Sequence, residues 1–188
     1  MKELYQDIYQ HESALKFGDV RIGIGSSMWP YSVIRAEFNS VIIGKFSNIQ
    51  DFVMLHVGDK YNTEVGDYCS IAHRAVLHGC KIGNNCLVGV GAIVMDGCIV
   101  GDNVIIGAGA YLPPNTVVPD NAIVVGNPAQ VERTRNNFVA NRMNAVYYNL
   151  NAKHYQVNEF RAWSDPDVKR LIKQIFVQVS KEKKLLYP

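Results

Sequence analysis

No stretch of this sequence approaches the ~20 consecutive apolar residues that cross a bilayer, and none of its four cysteines, Cys69, Cys80, Cys86 and Cys98, stands in a Cys-x-x-Cys pair. The first absence argues against a membrane-spanning chain. The second, in a chain that is neither small nor secreted in character, reads the cysteines as reduced packing residues. An excess of either charge is also lacking. Lys plus Arg is 19 against 17 for Asp plus Glu, a net of +2, so nothing in the balance recruits nucleic acid or an anionic membrane. The opening Met-Lys-Glu-Leu-Tyr-Gln-Asp carries no apolar signal core, and a cytoplasmic location is the expectation. What is present is 48% hydrophobic and 19% charged over 188 residues. That composition belongs to a folded globular chain with a sizeable core, organised as one domain or one domain plus a tail.

The dominant feature is a period of six. Ile82, Val88, Val94, Val100, Ile106, Leu112, Val118 and Val124 are strictly in step. Gly83, Gly89, Gly101, Gly107, Pro113 and Pro119 follow them, and a small or apolar residue recurs four places on: Cys86, Ala92, Cys98, Val104, Ala110, Thr116, Ala122. Upstream the rhythm continues with breaks through Ile22, Met28 and Ile34, then Ile43, Ile49 and Leu55, then Val65, Ile71 and Leu77. Six fits neither a 3.6-residue helix nor plain alternation. It fits a short strand plus a turn, three of which close a triangular coil of ~18 residues. Stacked coils make a parallel β-helix with strands ~4.8 Å apart, the aliphatic residues pointing in and Gly, Pro or Asn at the corners. About five or six coils fit between residues 20 and 127. A β-sandwich or propeller is the alternative that eight consecutive in-step positions disfavour.

The rhythm stops at Gly126-Asn127-Pro128. Beyond it, Phe138, Val139, Met143, Val146, Tyr147 and Leu150 mark one face of a helix expected over Glu132 to about Tyr155. A second helix is expected from Ser164 as N-cap, with Val168, Leu171, Ile172, Ile175, Phe176 and Val179 as its apolar stripe. The organisation read from this is an N-terminal arm over 1–17, the β-helix over 18–130 and a helical extension over 131–188.

Three of the five histidines fall inside the repeat. His56 follows inward Leu55 and His78 follows inward Leu77, so both hold the same repeat position on successive coils, 22 residues apart. Their imidazoles stack on one outer face, close enough to share one Zn²⁺. His73 lies two places after Ile71, on another corner, and reaches such an ion from a neighbouring chain if prisms pack around a threefold axis. Solvated surface histidines are the alternative. Arg35, after Ile34, repeats the His56 and His78 position one coil earlier, and Asp51 repeats that of His73. With Glu37 they are candidates for ion pairs at a subunit interface, where Gln50 could bond a water at the ion. His11 and His154, outside the repeat, read as surface residues.

Several stretches resemble the γ-class carbonic anhydrases and their carbonic-anhydrase-like relatives within the hexapeptide transferase superfamily. They are Trp29-Pro30, Val33-Ile34-Arg35, Asn48-Ile49-Gln50-Asp51 with His56 soon after, and the run from Ala72-His73-Arg74 through His78-Gly79-Cys80-Lys81-Ile82-Gly83. Gly89-Val90-Gly91-Ala92 and Val125-Gly126-Asn127-Pro128-Ala129 also fit. The resemblance spans about Gly18 to Arg133 and implies a left-handed β-helix that assembles as a homotrimer. It matches His56, His73 and His78 to three metal ligands, Arg35 and Asp51 to interface ion-pair residues, and Gln50 and Asn48 to polar groups around the site. It implies Zn²⁺, with Fe²⁺ or Co²⁺ able to occupy the place. Arg35-Ala36-Glu37 departs from the family's Arg-Gly-Asp, the loop Val57 to Glu64 lacks the acidic proton-shuttle segment, and the tail after Arg133 is long.

The function this implies is reversible hydration of CO₂ to bicarbonate, the cation making water nucleophilic at neutral pH, with Glu37 or a C-terminal tyrosine as candidate proton acceptors. Two alternatives keep the fold: an acyltransferase or acyl-CoA thioesterase with a histidine base, and a metal-stabilised trimeric scaffold without activity.

Overall fold

Aliphatic residues in step at every sixth position line the axis of a three-faced parallel β-solenoid, as their spacing predicts. The computed structural model describes residue 4 and residues 6–187; residues 1–3, 5 and 188, with part of the expected N-terminal arm, lie outside the described residues. The first face stacks Tyr9–Gln10, Ser27–Met28, Asn48–Ile49, Ser70–Ile71, Leu87–Val88, Ile105–Ile106 and Ala122–Gly126. Val33–Ile43 is long enough to turn a corner. Its leading part heads the second face, above Met54–His56, Val76–His78, Ile93–Val94 and Tyr111–Leu112. Its trailing part heads the third, above Thr63–Val65, Lys81–Ile82, Ile99–Val100 and Val117–Val118. Leu15–Ile22 pairs along the length of Val33–Ile43. Strand stacking therefore begins at Tyr9, inside the segment read from sequence as an arm.

Burial follows the rhythm. Leu55, Leu77, Val94 and Leu112 form one column on the second face, each 0% exposed. The four cysteines are free and buried in the same core. Burial, with Cys98 nearby, pushes the Cys80 thiol far up, so it stays a neutral packing group.

The corners hold a surprise for a Gly, Pro and Asn rule. Asn85, Asn103 and Asn121 take the left-handed conformation as expected, yet Phe46 (φ 54°) and Tyr68 (φ 54°) precede them in the same column. Bulky residues there are strained. Phe46 and Tyr68 stack at 5.0 Å, and the Arg142 guanidinium lies 3.7 Å from the Tyr68 ring centre. The ring stack, and the Arg142 contact made by the helix Phe138–Tyr155, offset the strain.

The segment after the solenoid differs from the sequence reading in two places. Ala129–Thr134 is not helical: it returns antiparallel on Ala122–Gly126 and covers the last edge of the first face. Helix α1 starts only at Phe138 and runs to Tyr155. Helix α2, Pro166–Leu186, takes Asp165 rather than Ser164 as N-cap. The Asp165 carboxylate accepts from the Asp167 N–H at 2.7 Å, and Pro166 supplies the first turn. Phe138, Met143, Val146 and Leu150 of α1 with Ile175 and Val179 of α2 bury a second, smaller core, and α1 lies on the first face. The second face keeps its outer row, Leu15, Val33, Met54, Val76, Ile93 and Tyr111, apolar.

Candidate metal centre

Ladder register brings the repeat positions together as counted. Arg35 pairs with His56 and His56 with His78 across the second face, while inward Ile34, Leu55 and Leu77 are sealed in the core. Because side chains alternate along a strand, this places one arginine and two imidazoles in a single outward row. The His56 and His78 ring centroids are 4.9 Å apart, and Nδ1 of His56 faces Nε2 of His78 at 3.0 Å.

The other nitrogen of each ring meets a carboxylate. His56 Nε2 is 3.1 Å from Oε2 of Glu37, and His78 Nδ1 is 3.0 Å from both oxygens of Asp96. Glu37 also takes the Arg35 guanidinium at 2.5 Å. Desolvation raises the Glu37 pKa, but its own backbone amide, His56 and Arg35 outweigh this and hold the carboxyl below its ordinary value. Each of these contacts pairs a ring nitrogen with a carboxylate oxygen, which accepts, so the nitrogens facing Glu37 and Asp96 are the ones placed to carry the N–H. With both rings neutral, the remaining two nitrogens face each other with lone pairs at 3.0 Å, near the ~3.3 Å that two donors keep on one tetrahedral Zn²⁺. Facing lone pairs repel, and a cation held between them would turn that repulsion into coordination. A histidine ligand whose second nitrogen donates to a carboxylate is the usual arrangement around zinc. The donor set fits the ion.

His73 lies on the corner before the second face and has its own carboxylate: Nδ1 is 2.9 Å from Oδ2 of Asp51, and Nε2 is 3.3 Å from the Tyr148 hydroxyl. Among the described residues of one chain, no three His, Cys, Asp or Glu side chains gather as a metal cage. The structure thus groups Arg35, Glu37, His56 and His78 at one corner and Asp51 with His73 at the other. Asn48 and Gln50 lie beneath α1, 1% and 2% exposed. Gln50 Nε2 donates to Asn48 Oδ1 at 2.9 Å, and Asn48 donates to Ser70 Oγ at 2.9 Å. They brace the stretch from strand Asn48–Ile49 into the turn that carries Asp51. His11, bonded to Ser13, and His154, bonded to Glu159, stay apart from these groups.

Sequence reasoning missed two residues. Tyr148 comes from α1, held there by Trp29, whose ring it meets edge-on at 5.4 Å. No local signal announces it. Burial, then Asp51 and Tyr155, pushes its pKa up to about 12, so its hydroxyl keeps its proton at neutral pH. Asp96 sits two places after Val94, which is in step with Leu77, and repeat counting alone could have found it.

A family model for bacterial transferase hexapeptide repeats matches residues 79–114. A probable carbonic anhydrase of Methanocaldococcus jannaschii is 48% identical over 83 residues, 44% of this chain and 52% of that protein. The carnitine operon protein CaiE of Salmonella typhi is 33% identical over 153 residues, covering 81% of this chain and 75% of that one. Among solved structures, a hexapeptide transferase family protein from Anaplasma phagocytophilum superimposes with a TM-score of 0.70 at 29% identity, over 79% of this chain and 92% of the other. The chain spans between a third and about half the length of the first curated relatives it matches.

Proposed function

The chain belongs to the γ-carbonic-anhydrase-like family of the hexapeptide-repeat transferase superfamily, and from that premise we propose that it hydrates CO₂ reversibly to bicarbonate at a metal site shared by two subunits of a homotrimer. The observation that carries the reading is the His56–His78 pair, two nitrogens 3.0 Å apart with a carboxylate behind each ring. His56 and His78 of one protomer and His73 of the next would hold Zn²⁺, with Fe²⁺ or Co²⁺ as substitutes. The ion, when bound, supplies the acidity that makes water nucleophilic near neutral pH.

This chain's own residues do the rest. Glu37, Asp51 and Asp96 orient the three imidazoles, each by accepting one ring N–H. Arg35 holds Glu37 in place through its guanidinium. The exposed Glu37 carboxylate is the candidate acceptor nearest the pair for the proton released by hydration. Tyr148 keeps its hydroxyl proton and packs beside the His73 ring, 3.3 Å from the Nε2 that would face the ion. Gln50 and Asn48 stiffen the stretch leading into the turn that presents Asp51. The apolar outer row of the second face supports the trimer: it runs beside His56 and His78, and burying it against a neighbour would bring a second corner to the pair.

Stopped-flow CO₂ hydration on zinc-loaded protein tests the activity. The expected result is catalysis of order 10⁴ M⁻¹s⁻¹ or more in kcat/KM. Hydrolysis or transfer from acyl-coenzyme A without CO₂ hydration would move the assignment to the acyltransferase or thioesterase alternative. Full metal occupancy with neither activity would leave a metal-stabilised scaffold.

A further inference from the structure

We propose that Asp96 is the positioning residue of this centre: its carboxylate fixes His78 as the Nδ1–H tautomer and thereby turns Nε2 toward the ion. The inference rests on the metal site proposed above and goes beyond it in naming what sets the donor atom.

Asp96 belongs to the Met95-Asp96-Gly97-Cys98 turn, one coil below His78. Both its oxygens lie 3.0 Å from His78 Nδ1. No lysine or arginine pairs with it among the described residues; His78 is its one ionic partner there. A surface carboxylate kept for charge balance would have a cationic partner, and this one has an imidazole.

The surrounding backbone is shaped to admit that carboxylate. A Cβ built on either Gly58 or Gly79 would overlap Oδ1 of Asp96. These glycines lie two residues after His56 and one after His78. Gly79 also adopts φ +55°, where side chains are disfavoured. The turn is pinned on both sides: the Asp96 carbonyl accepts from Asn115 N–H at 2.8 Å, and Gly97 N–H donates to the Gly79 carbonyl at 2.8 Å. Gly79 N–H in turn donates to Thr63 Oγ1 at 2.9 Å. Asp96 thus reaches His78 from a rigid loop, through space that two glycines leave open. A cleft of about 290 Å³ lined by Asp59, Lys60, Tyr61, His78 and Asp96 keeps the carboxylate in touch with water. With both carboxylate oxygens within hydrogen-bond distance, Nδ1 is the nitrogen placed to donate.

The experiment compares wild type, Asp96→Asn and Asp96→Ala by two readouts. Imidazole ¹⁵N shifts on zinc-free, histidine-labelled protein report the His78 tautomer, and titration with zinc alone against a competing chelator reports affinity. Wild type should show Nδ1–H and a lone pair on Nε2. Asp96→Ala should mix the tautomers and bind zinc ~10–100-fold more weakly. Asp96→Asn, whose amide oxygen still accepts from Nδ1, should keep the tautomer and lose less than ~10-fold. The melting temperature of the zinc-free proteins should not change. An Nε2–H His78 in wild type, or unaltered tautomer and affinity in Asp96→Ala, overturns the proposal; the wild-type spectrum decides even if a variant fails to fold. A zinc-affinity loss in Asp96→Ala alongside a wild type inactive on CO₂ would sink the hydratase reading and leave Asp96 in its role. An active wild type with an indifferent Asp96→Ala would do the reverse. A wild type that binds no zinc overturns both.

Discussion

Replacing His78 by alanine is expected to abolish zinc binding and reduce CO₂ hydration to the buffer rate. The substitution removes Nε2, one of the two nitrogens that face each other at 3.0 Å, and leaves His56 Nδ1 with no partner in its own chain. Losing only a supporting hydrogen bond behind a ligand costs ~10–100-fold in metal affinity, so losing the ligand should cost more. The fold should survive. The His78 side chain points outward and its inward neighbour Leu77, 0% exposed, is untouched. Elemental analysis, stopped-flow hydration and circular dichroism on one preparation check all three statements. His78→Ala protein that retains stoichiometric zinc would show that the ion, if any, sits elsewhere.

Leu77→Ala should have the opposite profile, a large loss of stability. Leu77 is flanked in its column by Leu55 and Val94, all three fully buried, and the narrow prism leaves little room for collapse around the cavity. A buried leucine truncated in this way costs ~2–5 kcal/mol. In a domain of this size each kcal/mol lowers the melting temperature by ~2–4 °C, so a fall of ~4–20 °C is expected for the metal-free protein. Ile99→Ala is the control: Ile99 lies next to inward Val100, points outward and is 53% exposed. It should shift the midpoint by no more than about a third as much. Equal effects at the two positions would mean that the six-residue rhythm does not mark the core.

What the sequence made legible follows from where the information lies. A hexapeptide coil writes its inward positions locally, so Ile34, Leu55 and Leu77 could be aligned by counting. That alignment put Arg35, His56 and His78 in one row, as the ladder has them. The breaks in the rhythm were harder. Tyr9 packs at 6% exposure under Trp29 and Tyr155, contacts between residues far apart in sequence. The Glu132 region reads as helical in isolation, but its backbone is claimed by hydrogen bonding to Ala122–Gly126. Tyr148 meets His73 across 75 residues of chain. The left-handed corners at Phe46 and Tyr68 depend on Arg142 of the helix above them. In each case the deciding partner is remote, and local pattern carries no trace of it.

An ion held between chains should allow two variants, each lacking one side of the site, to complement one another when their subunits are mixed. His73→Ala and His78→Ala proteins, each inactive alone, are unfolded together in equal amounts, refolded with zinc and assayed. In a threefold ring, every mixed trimer has one junction where intact His56 and His78 meet an intact His73, so random assembly should restore about a quarter of wild-type zinc and activity. No recovery above the separate variants, in trimers shown to be mixed, would contradict the account.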